Sequence, residues 1–401
     1  MRIFTNEAEL VMIHMEKGGT AMKKVTILAL HLAFGGIEKA ICSMANLFCE
    51  RYEVEILSVY NMPDSPAFPL DGRVKVRYLL KDTPNREAWH AAWNDRNPGE
   101  IARESVRAVR ILRDKKRAVI RAIESVDEGV LITTRPEDNV LLSRHGNPDV
   151  LKIAQLHQDH RFDPKLVRSF QKDYGGVDVF ALLTPGLASE VQEMMQGNNT
   201  HTKVVYIPNF LEHFPADPAA YPRQKTILAV GRLHEVKRFD LLIRLFSRIH
   251  ADFPDWQLRI VGDGEERGKL AALIEESRAE KYVTLTGKKD AAGVEEEMLR
   301  ASLYAMTSSS EGFPFVLLEA QSCGLPVAAF DVRVGPGFVV REGENGFLAP
   351  DTNEDAFCRN LSELMENEHL RRKMSDAALL RAAEFSRETV GRIWYETIGE
   401  T

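Results

Sequence analysis

Residues 303–331 read LYAMTSSSEGFPFVLLEAQSCGLPVAAFD. Leu303–Met306 is a short apolar run that suits a buried parallel strand. Thr307–Phe313 is small, polar and Gly-containing, so a loop is expected. Pro314 stands where the first helical residue belongs. Val316, Leu317, Ala320 and Cys323 then turn toward a core. Gly324 ends the helix, Pro326 blocks its continuation, and Pro326–Phe330 reads as the next strand. A strand–loop–helix–strand unit of this kind belongs to a parallel sheet flanked by helices.

Two carboxylates punctuate the unit. Glu311 precedes the helix and Glu319 lies in its second turn, with seven residues between them. A helix N-terminus at the carboxyl end of a parallel sheet is an anion site. A carboxylate in front of it makes sense if it faces hydroxyl groups, to which carboxylates bond strongly. The sharp reading is a sugar nucleotide: phosphate at the helix end, Glu311 on the sugar, Glu319 on the ribose. The plain alternative is a helix-initiating acid and a surface Glu.

Outward from this unit, the second half repeats the alternation, with strands expected at Thr226–Val230, Gln257–Val261 and Val283–Thr286. After the first of these comes Val230-Gly231-Arg232-Leu233-His234-Glu235-Val236-Lys237, then a helix marked by Leu242, Ile243, Phe246 and Ile249. Arg232 thus sits at a strand end and Lys237 in the loop before a helix. A forked guanidinium and a point-charge ammonium can together neutralise a diphosphate. Ile260-Val261-Gly262-Asp263-Gly264 reads as a structural turn. Gly287 and Lys288 end a strand at the edge where a nucleobase would lie. Residues 342–348 read as a tight connection to a short strand.

The first half alternates likewise, with strands at Val25–Leu30, Val54–Tyr60, Val74–Tyr78, Val130–Thr133, Leu151–Leu156, Val177–Leu183 and Val204–Ile207. Ile37, Ile41, Met44 and Phe48 recur at helical spacing directly after Gly35-Gly36. His157 follows a strand and suits orienting or deprotonating a hydroxyl, or simple packing at a strand end. His160 and His31 are lesser candidates. Pro84–Pro98, with Trp89 and Trp93, reads as a lid or short helix. Ile101–Ile123 is a long helix rich in base, from Arg103 to Arg121. It is either a solvated face or a face for anionic lipid or a polyanionic acceptor, where each base contributes on the order of 1 kcal/mol.

The totals agree with two domains. The chain has 401 residues, 44% of them hydrophobic, and a net charge of −7 that disfavours a general nucleic-acid binder. Four cysteines without metal-type spacing suggest a reducing, cytoplasmic compartment. No apolar run is long enough to span a bilayer. Residues 1–21 read as a leader ahead of Met22, a candidate true start. The domains expected are 22–209 for an acceptor, 210–384 for a nucleotide-sugar, and 385–401 as a helix crossing back.

EGFPFVLLEAQSCGLPV, VGRLHEVKRFDLLI, IVGDGEE and ENGFL resemble, in order and spacing, the motifs of the family 4 retaining glycosyltransferases. Gly35-Gly36-Ile37-Glu38 resembles that family's Gly-Gly-x-Glu signature. The resemblance implies the α/β GT-B fold, two Rossmann-like doubly wound domains facing a cleft. It implies retaining sugar transfer from a nucleotide-activated donor by a front-face reaction with no metal or cofactor; on that basis the expected reaction moves a hexose or N-acetylhexosamine from a UDP-sugar to a surface-glycan, cell-wall or lipid-linked acceptor. By position, Arg232 and Lys237 look like the diphosphate clamp, Glu311 like the acid on the sugar hydroxyls and Glu319 like the one on the ribose. Phe313 and Pro314 resemble the residues whose backbone flanks sugar and phosphate, and His157 stands where members often have a residue by the reacting centre. Two other readings are a sugar-nucleotide epimerase of the same fold and a catalytically degenerate subunit of a glycan assembly complex. A nicotinamide dehydrogenase is disfavoured because no G-x-G-x-x-G follows the first strand.

Overall fold

The computed structural model describes residues 24–81, 83–161 and 163–399. The expected leader and the candidate start at Met22 lie outside them. The chain forms two units, one running to Ile207 and resuming at Gly391, the other Pro208–Val390.

The first unit runs β1 (Lys24–Ala29), α1 (Gly36–Phe48), β2 (Glu53–Tyr60), β3 (Lys75–Leu80), α2 (Arg86–Asn94), α3 (Pro98–Glu124), β4 (Val130–Thr133), α4 (Pro136–His145), β5 (Leu151–Leu156), α5 (Pro164–Lys172), β6 (Val179–Leu182), α6 (Pro185–Met195) and β7 (Lys203–Tyr206). Its seven strands lie in the order β3-β2-β1-β4-β5-β6-β7, and every pairing is parallel. The central strands β1, β4, β5 and β6 are buried along almost their whole length, because helices cover both faces. The edge strand β3 is half exposed and carries Lys75 and Arg77 against Glu53 and Glu55 of β2. Basic side chains on an edge discourage pairing with another chain.

The second unit contains β8 (Thr226–Val230), α7 (Phe239–Ile249), β9 (Gln257–Val261), α8 (Arg267–Glu276), β10 (Val283–Gly287), α9 (Ala291–Arg300), β11 (Leu303–Met306), α10 (Phe315–Ser322), β12 (Val327–Asp331), α11 (Pro336–Val339), β13 (Gly346–Pro350), α12 (Glu354–Glu366) and α13 (Glu368–Ala383). Its six parallel strands follow β10-β9-β8-β11-β12-β13, the same relative order as in the first unit. Both units are therefore Rossmann-like, each with one switch point: between β1 and β4, and between β8 and β11. The linker before β8 is anchored by Arg223. Its guanidinium donates to the carbonyls of Met298 and Leu299 at 3.0 Å and of Ala301 at 3.1 Å, and also to Cys323 O, meeting the carbonyl ends of α9 and α10.

A last helix, α14 (Arg387–Thr397), follows. Its second half belongs to the first unit: Trp394 is buried edge-on to Phe48 with ring centroids 5.6 Å apart, and Tyr395 Oη donates to Leu47 O at 2.9 Å. Gly391 is tight there, since a Cβ would come within 3.0 Å of Leu47 Cδ1. Phe385 stays in the second unit, where Leu211 N–H donates to its carbonyl and its ring joins Phe313 and Phe338. The return thus begins at Gly391, six residues later than expected.

Some local expectations shift. Pro314 caps α10 instead of opening it, and Phe315 is the first helical residue. Leu317, Ala320 and Cys323 are buried as expected, while Val316 is only half-buried and Leu318 is buried in addition. The strand after Pro326 begins at Val327. Residues 86–94 form a helix, and the stretch after Thr352 is three helices.

Candidate functional site

In the second unit the switch point gathers the residues that carry charge. β8 ends at Val230 and β11 at Met306, side by side, with Leu303 opposite Ile227 and Tyr304 opposite Leu228. The loops leaving these two strands carry Arg232 and Lys237 on one side and Glu311 on the other. Lys237 Nζ donates to Glu311 Oε1 at 2.7 Å, with both side chains mostly shielded. Arg232 is exposed at the end of β8 and pairs with no described acid. Tyr304, buried under the junction, exchanges hydrogen bonds with the backbone of Val230 at 3.1 Å, and burial raises its pKa.

The two loops are tied together by the residue after Lys237. Arg238 sits in the left-handed region at φ 48° and caps α7. Its guanidinium donates to Thr307 O at 2.6 Å, Ser308 O at 2.9 Å and Asp351 Oδ1 at 2.9 Å. Thr307 Oγ1 reaches the carbonyls of Lys237 and Arg238 at 3.0 Å, and Ser309 N–H donates to Val236 O at 2.8 Å. The Lys237–Glu311 distance is thereby set by a network of backbone acceptors.

Below these loops lies the Gly-Asp-Gly turn. A Cβ on Gly262 would stand 1.8 Å from Gly231 O, and one on Gly264 2.4 Å from Leu233 O. The glycines therefore allow one backbone to pass against another, which is the structural role expected of them. Asp263 Oδ1 accepts from Gly264 N–H. On the far side, a Cβ on Gly335 (φ 103°) would stand 2.9 Å from Pro314 Cδ and 3.1 Å from Glu311 Cβ.

Phe313 turns its ring away into an aromatic cluster with Phe315, Phe338 and Phe385, under the buried guanidinium of Arg381. Glu319 is half-buried on α10. Gly287 ends β10 at φ 81°, accepting from Gly262 N–H at 3.0 Å, and Lys288 beyond it is exposed. Both lie on the edge side of the sheet, away from the β8–β11 junction.

In the first unit the switch point carries a second cluster. Gly35 precedes α1, and a Cβ on it would lie 2.0 Å from Glu38 Oε2. The buried Glu38 carboxylate folds over that bare backbone and takes Arg135 Nη2 at 3.0 Å, with His31 Nδ1 at 3.6 Å. Gly36, the first residue of α1, has open space beside it. His157, at the end of β5, has its Nε2 3.2 Å from Gln155 Oε1. Burial, reinforced by the charge of Arg135, pushes its pKa down to about 4, so the imidazole is neutral near pH 7. Asn139 locks the β4–α4 junction by bonding Thr133, Gln155 and Tyr174. Beside it, Thr134 Oγ1, Arg135 Nε and Asp138 Oδ1 are buried without a partner. Burial lifts Asp138 to about 6. His160 is a core residue, 3.0 Å from Glu190 and edge-on to Phe170.

Glu38, Arg135 and Arg238 are the residues that sequence reasoning did not select. Glu38 had a signal in the Gly-Gly-x-Glu run. Arg135 and Arg238 had none, since each acts through partners at least 69 residues away. Among the described residues, no group of three or more His, Cys, Asp or Glu side chains is gathered to hold a metal, and all four cysteines are buried thiols. No helix there is long and apolar enough to cross a membrane.

Residues 211–381 match the family of glycosyl transferases group 1. The chain is 32% identical over 385 residues to an N-acetylgalactosamine-N,N'-diacetylbacillosaminyl-diphospho-undecaprenol 4-alpha-N-acetylgalactosaminyltransferase of Campylobacter jejuni, spanning 92% of this chain and 98% of that relative. It is 30% identical over 399 residues to an exopolysaccharide phosphotransferase of Streptomyces coelicolor, spanning 94% of this chain but 41% of that longer protein. Among solved structures, a point mutant of S. aureus TarM, in complex with fondaparinux, alpha-GlcNAc-glycerol and UDP, superposes with a TM-score of 0.76 at 15% identity, covering 94% of this chain and all of that one.

Proposed function

The chain belongs to the group 1 glycosyl transferases, and from that premise we propose that it moves a hexose or N-acetylhexosamine from a UDP-sugar to a surface-glycan, cell-wall or lipid-linked acceptor, with retention at the anomeric carbon. The observation that carries this reading is the Lys237–Glu311 contact at the second unit's switch point. An ammonium has three donors, so Lys237 can hold Glu311 and a diphosphate oxygen at once, with Arg232 as the second cation. Glu311 then accepts hydroxyls of the transferred sugar, held in place by the backbone of Phe313 and Pro314. Glu319 takes the ribose, and Gly287 and Lys288 flank the base.

The leaving diphosphate is neutralised by fixed cations, so the reading needs no metal. A front-face departure leaves the diphosphate oxygen near the incoming hydroxyl, where it can take the proton. In the first unit, Gly35 and Gly36 offer backbone N–H groups and a neutral His157 can orient the acceptor hydroxyl. The lipid-linked acceptor is suggested by the name of the Campylobacter relative, and UDP by the TarM complex. The place of action is the cytoplasm, at the membrane's inner face.

The test is a thermal-shift panel with UDP, GDP and ADP, followed by product analysis with UDP-sugars. A nucleotide at about a hundred times its Kd stabilises by roughly 2.7 kcal/mol. The expected result is a shift with UDP that Lys237→Ala abolishes, and release of UDP on transfer. Release of UMP would mean that a sugar phosphate moves, a group transfer that would be in keeping with the Streptomyces relative being named a phosphotransferase. Flat traces with every nucleotide would sink the donor assignment.

A further inference from the structure

The helix α3 has an outward face that neither the core nor the transfer site uses. Among the described residues, eight large apolar side chains stand out to solvent, and four of them are on two helices fastened to each other: Trp93 on α2 (58% exposed) and, at successive i, i+3 positions of α3, Val106 (65%), Val109 (67%) and Leu112 (64%). Trp93 stacks on Trp89, centroids 5.4 Å apart, and Trp89 Nε1 donates to Ser105 Oγ at 3.0 Å, so α2 is fastened to α3.

The same face is basic. α3 carries eight bases against four acids on a chain of net charge −7. Glu100 and Glu104 lie beside Arg103, Glu104 also beside Arg107, and Asp114 beside Arg113, at 3.5–3.7 Å. Arg110, Lys116 and Arg117 are exposed with no acid partner among the described residues. At 100° per residue, Val106, Arg110, Arg113 and Arg117 share one stripe, with Val109 and Lys116 beside it. A pocket lined by Leu80, Asp114, Arg117, Ile120 and Arg121 opens next to them.

We propose that this α2–α3 face docks the protein on a bilayer bearing anionic lipid headgroups. A bilayer interface takes the apolar and the basic groups together, aliphatics among the acyl chains, Trp and Arg at headgroup level. A soluble polyanion leaves Val106, Val109, Leu112 and Trp93 without partners. A second copy meeting this face symmetrically would set bases against bases. The inference stands on α2 and α3 alone and not on the donor site.

The experiment is sedimentation of the full chain with vesicles of phosphatidylcholine, with and without phosphatidylglycerol. Two variants are compared: Val106→Ser with Val109→Ser and Leu112→Ser, and Arg110→Gln with Arg113→Gln and Arg117→Gln. The expected result is binding to anionic vesicles only, weakened by salt, and reduced about tenfold or more in each variant. The nucleotide-induced melting shift should be unchanged in both, which separates this inference from the donor reading. Absence of binding at low salt, or equal binding by folded variants, overturns it. So does a dimer that the Ser variant abolishes, which would make the face an interface between copies. Loss of binding in the Gln variant alone also overturns it, since the aliphatics would then play no part.

Discussion

Lys237 Nζ meets Glu311 Oε1 at 2.7 Å across 74 residues of chain, in loops that leave adjacent strands at the second unit's switch point. Removing either side chain should cost transfer far more than stability. We expect Lys237→Ala and Glu311→Ala to lower kcat/KM by about 10²–10³, the scale of one oriented electrostatic contact. The pair is not fully buried, so each melting midpoint should fall by the equivalent of roughly 1 kcal/mol or less. Steady-state kinetics beside thermal melting decides it, and full activity in folded Glu311→Ala removes the central assignment.

Arg238 should behave as a positioning residue. Its left-handed φ of 48° costs roughly 1 kcal/mol in a non-Gly residue, and its guanidinium holds Thr307 O and Ser308 O. Arg238→Gly relieves the backbone and loses the staple, whereas Arg238→Ala loses the staple and keeps the strain. Both should lose kcat, with Gly the more stable of the two. If Arg238→Gly retained wild-type kcat, the staple would be irrelevant to catalysis.

Gly35 and Glu38 should act as one unit. The φ of Gly35 is 174°, ordinary extended backbone, so Gly35→Ala is a purely steric change against Glu38 Oε2. It should push the carboxylate off Arg135 and reproduce the effect of Glu38→Ala. The double variant should then be no worse than the worse single, a coupling of about 0.5–3 kcal/mol in a double-mutant cycle. Additive losses would mean that the two residues work separately.

The titrations give two opposite expectations. His157, held down to about 4, should leave the rate flat on the acid side to well below 6, and Arg135→Gln should move that limb upward only part way, since burial is the larger cause. Asp138 is raised from 3.8 to about 6, so its contribution to stability is complete below 3.8 and lost as pH rises through 6. Asp138→Asn should therefore match wild type near pH 4 and exceed it by about 3 kcal/mol above pH 6. Identical melting at pH 8 would show that the site relaxes or takes in water.

Much of the fold was legible because its signals are local. β4, β5, β8, β9 and β11 occupy the residues read from their apolar runs, and Gly324 does end α10 at φ 71°. The Pro314 cap and the burial of Leu318 in addition to Leu317 were not legible, since helix entry depends on what Phe313 packs against. Of the candidate site, Arg232, Lys237 and Glu311 were readable as loop residues after strands. That Lys237 reaches Glu311, and that Arg238 fastens both loops, was not.

By itself the sequence determined the alternation of strand and helix, the two halves, and which side chains stand at the carboxyl ends of strands. Each of these follows from periodicity within a few residues. The tertiary structure alone decided which ends are neighbours. The strand order brings β8 beside β11 and β1 beside β4, and so Lys237 to Glu311 and Glu38 to Arg135. It also decided that Val106, Val109 and Leu112 face out, because the core side of α3 was already filled by Ile111, Ala118, Val119, Ala122 and Ile123. Pairing between distant segments depends on which loops close and which faces bury one another, and no local pattern along the chain records that.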